Sequence, residues 1–224
     1  MAEFNVLPEG VSAEDFGNAI EEYAAIVGND NVFVSADNLS SYQKIMIPVD
    51  NDDYAPSGAL APASTEEVQA IIGVCDKYTI PVWPISTGKN FGYGSAAAAT
   101  RGQMILDLRR MNKIIEVDAE LGTALLEPGV TYKQLKDYLV DNDIPLWLSP
   151  PAPSAIVSPL GNAVDRGVGY TPYGDNFFMS CGMEVVLADG EVLRTGMGAM
   201  PNSTSWQVFK WGYGPSLDGI FTQS

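Results

Sequence analysis

Between Ile85 and Gly94 the chain reads Ile-Ser-Thr-Gly-Lys-Asn-Phe-Gly-Tyr-Gly. Glycine takes positive φ without steric cost, so Gly88, Gly92 and Gly94 let neighbouring N–H groups turn toward one point. A concave run of amides binds an anion without any charged side chain, and Ser86, Thr87 and Asn90 add donors. The spacing Gly-x-x-x-Gly-x-Gly is neither the dinucleotide fingerprint Gly-x-Gly-x-x-Gly nor the phosphate loop Gly-x-x-x-x-Gly-Lys-Ser/Thr. The glycines alone leave two readings open, an anion cradle and a plain connection between strands, where glycine also collects. Lys89 either adds a positive charge to the cradle or is a solvated loop lysine. Phe91 and Tyr93 are the bulky residues of the loop, and Tyr93, between two glycines, has no bulky neighbour in sequence.

A second stretch, Gly161 to Gly174, gathers Asp165, Arg166, Tyr170, Tyr173 and the glycines 161, 167, 169 and 174. Glycines on both sides of an aromatic pair fit a backbone that passes close to a flat ligand; the plain reading is two exposed charges on a short helix. Upstream, Ser154 lies in a Pro/Ser-rich run, 149–160, that contains no acidic side chain. It is either a donor near a ligand or a turn serine.

The chain has no histidine, which removes Ser-His-Asp and Cys-His nucleophiles and imidazole metal ligands. Any difficult chemistry then falls to a bound cofactor rather than to side chains alone. A formal charge of −16 argues against nucleic acid or an anionic membrane as partner. Cys75 and Cys181 form no Cys-x-x-Cys pair and read as buried apolar thiols, and no metal site is expected. The four tryptophans read as core or lobe-interface aromatics. No run has the length of a transmembrane helix, and the first residues lack a signal-peptide pattern, so the expected compartment is the cytoplasm.

The elements that must hold these residues follow from capping and periodicity. Ser12-Ala-Glu-Asp15 opens a helix with Phe16, Ile20, Tyr23, Ala24 and Val27 on one stripe, stopped by Gly28. Asn31 to Ser35 reads as a short strand, and residues 36–63, rich in Asp, Ser, Pro and Asn, as a long surface crossing. Ser64-Thr-Glu-Glu67 caps a second helix, with Val68, Ile71, Ile72 and Cys75 on one face, running to about Tyr78. A buried strand from Ile80 to Ile85 then delivers the glycine loop. Met104–Leu108, 114–118 and 123–127 read as strands, with a turn at Arg109–Lys113. Thr131 begins a helix with Leu135, Tyr138 and Leu139 inward, and Pro145–Leu148 reads as a short apolar strand. Asp189-Gly190, between two apolar runs, predicts a type I′ hairpin. Strands outnumber helices, so the class is α+β.

The run Pro84–Ala97 resembles the diphosphate loop of the flavoproteins related to vanillyl-alcohol oxidase and para-cresol methylhydroxylase. Leu125–Thr131, Gly161–Gly174, Gly182–Val186, Arg194–Gly198 and the run from Gly212 to Ser224 are similar to further segments of that family. The resemblance implies a two-lobed FAD-binding domain, with residues 1–54 an N-terminal helix and crossing segment. Lobe one would span about 55–115 and lobe two about 116–224, the chain stopping before a substrate-covering cap domain. It implies FAD held by Ile85, Ser86, Thr87, Gly88, Lys89, Asn90, Phe91, Gly92 and Gly94. Ser154, Gly161, Asn162, Arg166, Gly167, Gly169 and Tyr170 would hold it from the second stretch. Tyr93 occupies the motif position whose phenol hydroxyl contacts the substrate's phenol oxygen, a catalytic role by stabilising phenolate. The missing acid in 149–160 points to the dehydrogenase branch rather than the oxidase.

The implied reaction is hydride transfer from the benzylic carbon of a para-substituted phenol to flavin N5, then addition of water to the quinone methide. The acceptor implied is a cytochrome c, which would place an assembled complex in the periplasm, and the complete protein would be a homo-oligomer. The alternatives are an oxygen-using oxidase of vanillyl-alcohol or eugenol type and a non-catalytic flavin-binding module. Without histidine here, FAD is expected to bind this part of the chain non-covalently.

Overall fold

A computed structural model describes residues 4–90, 94–151, 154–205, 208–211 and 214–222. They form two units, residues 1–111 with 188–190 and residues 112–187 with 191–224, each with its own elements.

In the first unit, helix α1 (Ala13–Val27) starts where the Ser12 hydroxyl accepts the Asp15 N–H, and stops at Gly28, φ +84°. Its buried stripe is Phe16, Ala19, Tyr23 and Val27, so Ala19 takes the place expected for Ile20 and Ala24. Strand β1 is only Val32–Phe33. The crossing that follows differs from the sequence reading. Helix α2 (Ala36–Leu39) and a 3₁₀ turn at Ser40–Tyr42 interrupt it, and its last third dives inward as strand β2 (Gly58–Leu60). Residues 55–62 are buried throughout. Small residues read as loop in sequence, yet here they permit close approach. A Cβ on Gly58 would lie 2.9 Å from Met104 Sδ and 3.1 Å from the Phe33 carbonyl oxygen.

Helix α3 (Thr65–Tyr78) is capped by Ser64, whose hydroxyl accepts the Glu67 N–H, and it buries Val68, Ile71, Val74 and Cys75. Val74 is thus the inward residue rather than Ile72. Tyr23 of α1 and Cys75 of α3 meet in the buried seam, hydroxyl to sulfur 3.1 Å. Strands β3 (Val82–Ile85) and β4 (Met104–Asp107) complete a sheet of order β1-β2-β4-β3, parallel from β2 through β4 to β3, with β1 antiparallel. β4 is wholly buried, whereas β3 is an edge strand with Trp83 and Pro84 exposed. The expected burial thus holds at Ile80 and Ile85 but not along the whole strand: proline gives no ladder N–H and is tolerated on an edge.

The second unit has antiparallel hairpins and short helices. β5 (Ile114–Asp118) pairs with β6 (Thr123–Leu126) through a turn closed by the Gly122 N–H on the Asp118 carbonyl, 2.9 Å. Helix α4 (Tyr132–Asp141) carries a capping box between Thr131 and Gln134 and buries Tyr132, Leu135 and Leu139, Tyr132 standing where Tyr138 was expected. Residues 145–148 form no strand, and Trp147 is 97% exposed rather than a core aromatic. Pro145 donates no hydrogen bond and the run leads into Ser149-Pro-Pro, which leaves it no ladder to join. Helix α5 (Pro159–Val164) starts at Ser158. β7 (Glu184–Val186) pairs with β8 (Val192–Arg194), and the Leu187 N–H reaches the Glu191 carbonyl at 2.8 Å. Of the turn residues only Gly190 has positive φ, +81°. The hairpin is therefore a three-residue loop with glycine in the left-handed position, not the two-residue type I′ turn. Helices beside separate sheets make the architecture α+β.

Candidate cofactor site

The glycine loop leaves the carboxyl end of edge strand β3, and open sheets with parallel strands bind ligands beside the carboxyl ends of those strands. Its stems are fixed by packing. Ile85 on one side and Ala96 and Ala98 on the other sit in one buried cluster with Leu39, Tyr42, Ala59 and Ile105. Thr87 is buried, Ser86, Gly88 and Asn90 are half-buried, and Lys89 is exposed. The Ser95 N–H closes the neck on the Asn90 carbonyl at 2.7 Å, and the Ala97 N–H bonds the Gly94 carbonyl at 2.9 Å. Phe91, Gly92 and Tyr93 lie outside the described residues.

Two glycines act differently here. Gly88 has φ +63°, and a Cβ on it would lie 2.7 Å from Ala96 Cβ, so it is needed for the loop to fold onto its own stem. Gly94 has φ +138° with no heavy atom within 4 Å of its Cβ position, so it borders open space. Ser95 follows with φ +57°. Left-handed backbone at three nearby positions, with one open side, fits a diphosphate that needs amides and no Cβ in its way.

Beside the loop lies a cluster that the sequence reading does not contain. Asp107, last residue of β4 and in register with Ile85, is only 2% exposed. Its Oδ2 accepts the Tyr42 hydroxyl at 2.7 Å, and its carboxylate accepts Arg109 Nε at 2.8 and 2.9 Å and the Arg109 backbone N–H at 3.1 Å. Arg109 Nη2 bonds both Asp107 and, at 3.0 Å, the Tyr42 hydroxyl. Burial, then the bond to Asp107, pushes the Tyr42 phenol well above its ordinary range, so it stays a donor. The bond to Asp107 likewise raises the Arg109 guanidinium. The signal was present as Asp107-Leu-Arg109 after an apolar strand, but Tyr42, 65 residues upstream, had no pattern to link it.

In the second stretch glycines make room for neighbouring protein groups. A Cβ on Gly167 would strike Asn162 Nδ2 at 2.0 Å, and one on Gly169 would meet Ser149 Oγ at 2.3 Å. Asn176 Nδ2 in turn donates to Asn162 Oδ1. Gly161 lies in α5, where its N–H bonds the capping Ser158 hydroxyl at 3.3 Å. Ser154 Oγ accepts the Ile156 N–H at 3.3 Å, as a turn serine does. Arg166, at φ +54°, lies 4.2 Å over the Phe177 ring and donates to Thr222 Oγ1 at 3.1 Å. Asp165 is partly buried, which raises its carboxyl above the usual range. Tyr170 and Tyr173 stand exposed. Among the described residues no group of three His, Cys, Asp or Glu side chains is placed to hold a metal ion, and no helix is long and apolar enough to cross a membrane.

A loop at the carboxyl end of β3, open on the side of Gly94, fits a domain that binds a nucleotide cofactor. Residues 56–196 match the FAD binding domain family, and the chain belongs to that family, with FAD as its cofactor. It is 57% identical over 219 residues to the 4-cresol dehydrogenase [hydroxylating] flavoprotein subunit of Pseudomonas putida, covering 98% of this chain and 42% of that protein. The structure of p-cresol methylhydroxylase with substrate bound superposes with a TM-score of 0.95 at 57% identity, over 98% of this chain and 42% of the other. The isoeugenol complex of 4-ethylphenol oxidase from Gulosibacter chungangensis does so with a TM-score of 0.93 at 43% identity, over 97% and 42%. The chain thus spans less than half the length of these relatives.

Proposed function

We propose that this chain is the FAD-holding part of an oxidoreductase that oxidises para-substituted phenols at the benzylic carbon. The observation that carries the reading is its likeness, over nearly the whole chain, to proteins named for 4-cresol, p-cresol and 4-ethylphenol. FAD, when bound, supplies a two-electron acceptor for the hydride. The chain's own part is binding and positioning. The amides between Ser86 and Asn90 and around Gly94 would take the diphosphate, with Thr87 and Asn90 as side-chain donors. Tyr93 is proposed to donate to the substrate's phenol oxygen and stabilise phenolate, which eases loss of the benzylic hydride. Asn162, Gly167 and Tyr170 are proposed to face the rest of the cofactor, together with Ser154, Gly161, Arg166 and Gly169.

A dehydrogenase passing electrons to a cytochrome c is the leading form, supported by the relative that is named as one subunit of a larger enzyme. An oxygen-using oxidase is the second reading, favoured by the 4-ethylphenol oxidase match. The proposed compartment is the cytoplasm, or the periplasm if the protein assembles with a cytochrome subunit, and the complete enzyme is proposed to be a homo-oligomer.

Anaerobic titration of the complete flavin-loaded protein tests the reading. Bleaching of the flavin spectrum by 4-cresol or 4-ethylphenol, with none by 3-cresol, is the expected result; no bleaching by any para-alkylphenol overturns it. Re-oxidation of the reduced protein by air against cytochrome c separates the two forms. Acid precipitation of the flavin-loaded 224-residue chain should release all its FAD.

A further inference from the structure

We propose that the Tyr42–Asp107–Arg109 cluster is the positioning and charge-neutralising anchor of the cofactor loop. The inference rests on the reading of residues 85–94 as the diphosphate cradle. Three observations carry it.

The first is place. Asp107 and Ile85 are partners in adjacent strands, so the Asp107 backbone stands one strand spacing, about 5 Å, from that of the residue where the loop begins. The second is linkage. The Tyr42 side chain shares one packed cluster with Ile85, Ala96 and Ala98, the stems on both sides of the loop, while its hydroxyl is held by Asp107 and Arg109. Rotation of Tyr42 therefore disturbs both stems at once. The third is charge. A bare carboxylate beside a dianion site would repel its ligand. Here Arg109 clasps that carboxylate through Nε and Nη2, and Tyr42 supplies a further donor. Arg109 is half-exposed, so the pair reaches from the buried strand end to the surface.

Tyr42 and Arg109 are accordingly positioning residues, acting on FAD through the loop and not by touching the reacting atoms. Two variants separate geometry from charge. Tyr42→Phe keeps the ring and removes the hydroxyl; Arg109→Gln removes the positive charge and leaves the carboxylate uncompensated. Tyr23→Phe is the control, since it removes another buried tyrosine hydroxyl of the same unit, bonded to Cys75 outside the loop cluster.

The measurement is FAD affinity of the apo protein by quenching of flavin fluorescence, at low and high sodium chloride, beside thermal unfolding without FAD. Expected are a loss of affinity of about 10-fold for Tyr42→Phe and more for Arg109→Gln. Part of the Arg109→Gln loss should be regained at high salt, because salt screens repulsion. Tyr23→Phe should lower the melting midpoint while leaving FAD affinity within twofold of wild type. Affinities of both cluster variants within twofold of wild type, or losses matched by Tyr23→Phe and insensitive to salt, overturn the proposal. A wild-type protein that binds no FAD overturns the cradle reading and this inference with it.

Discussion

Among the described residues each unit buries one carboxylate, and the two are treated in opposite ways. Asp107 in the first unit has its acceptor positions occupied by a tyrosine hydroxyl, a backbone N–H and a guanidinium. Asp218 in the second is 0% exposed; its Oδ1 accepts Thr195 Oγ1 at 2.5 Å, and its Oδ2 has no hydrogen-bond partner among the described residues. The same contrast runs through the cores. Most of the buried apolar side chains belong to the first unit, the second contributing Val130, Tyr132, Leu135, Leu139, Pro151 and Val157 among the described residues. The second unit instead keeps Trp147, Val168, Tyr170, Tyr173, Phe178 and Trp211 exposed. One unit is finished around its own interior, and the other carries its aromatic surface outward.

The largest effect is expected where the satisfied acid is disturbed. Asp107→Asn turns one acceptor into a donor facing Arg109 and Tyr42, and should lower stability by about 4 kcal/mol in urea unfolding. The matched change Asp218→Asn should shift stability by less than about 1 kcal/mol, because it removes a buried charge while keeping an acceptor for Thr195. Equal losses for the two would break the comparison. Deleting side-chain volume sharpens it. Ile71→Ala, in the fully buried seam of α3, should cost about 3 kcal/mol.

A smaller effect is expected from alkaline pH. Burial pushes the Cys75 thiol from its ordinary 9.0 up to about 11, and burial also raises its partner, the Tyr23 phenol. A raised folded-state pKa favours the protonated form in the fold. Its stabilising contribution is therefore complete below about pH 9 and is lost as pH climbs toward about 11, a decline on the order of 2 kcal/mol. Urea midpoints that stay level from pH 8 to pH 11 would contradict this. The least effect is expected from Trp147→Ala, within about 0.5 kcal/mol for this chain, since the side chain packs against little.

How much of this was legible in the sequence depended on whether the signal was local. Caps at Ser12, Ser64 and Thr131 were readable because the partner stands three residues away. The glycine loop was visible as spacing, and its flavin reading came from family resemblance rather than from the glycines. Strand β2 was missed because Gly58 and Ala59 look like loop, and only their fit against Met104 and Phe33 makes them core. Ile20 and Ile72 were read as inward from helical spacing, but Ala19 and Val74 occupy the buried face. The Tyr42–Asp107–Arg109 cluster was beyond reach, since 65 residues separate two of its members and nothing in either neighbourhood refers to the other. Trp147 misled for a different reason: a large apolar residue predicts burial only where something exists to cover it.

The edges of the first sheet have a consequence for the protein in solution. A strand with an unpaired flank is a template on which another copy can add its own backbone, the first step toward insoluble aggregate. At one margin β1 offers only two residues, and at the other β3 carries Pro84, which has no N–H to give an incoming strand. The margin where the glycine loop begins is thus guarded by a residue type. Replacing Pro84 by valine would restore that N–H on an exposed apolar strand and should turn a dispersed protein into one that precipitates on concentration, with light scattering rising before any loss of helix is seen.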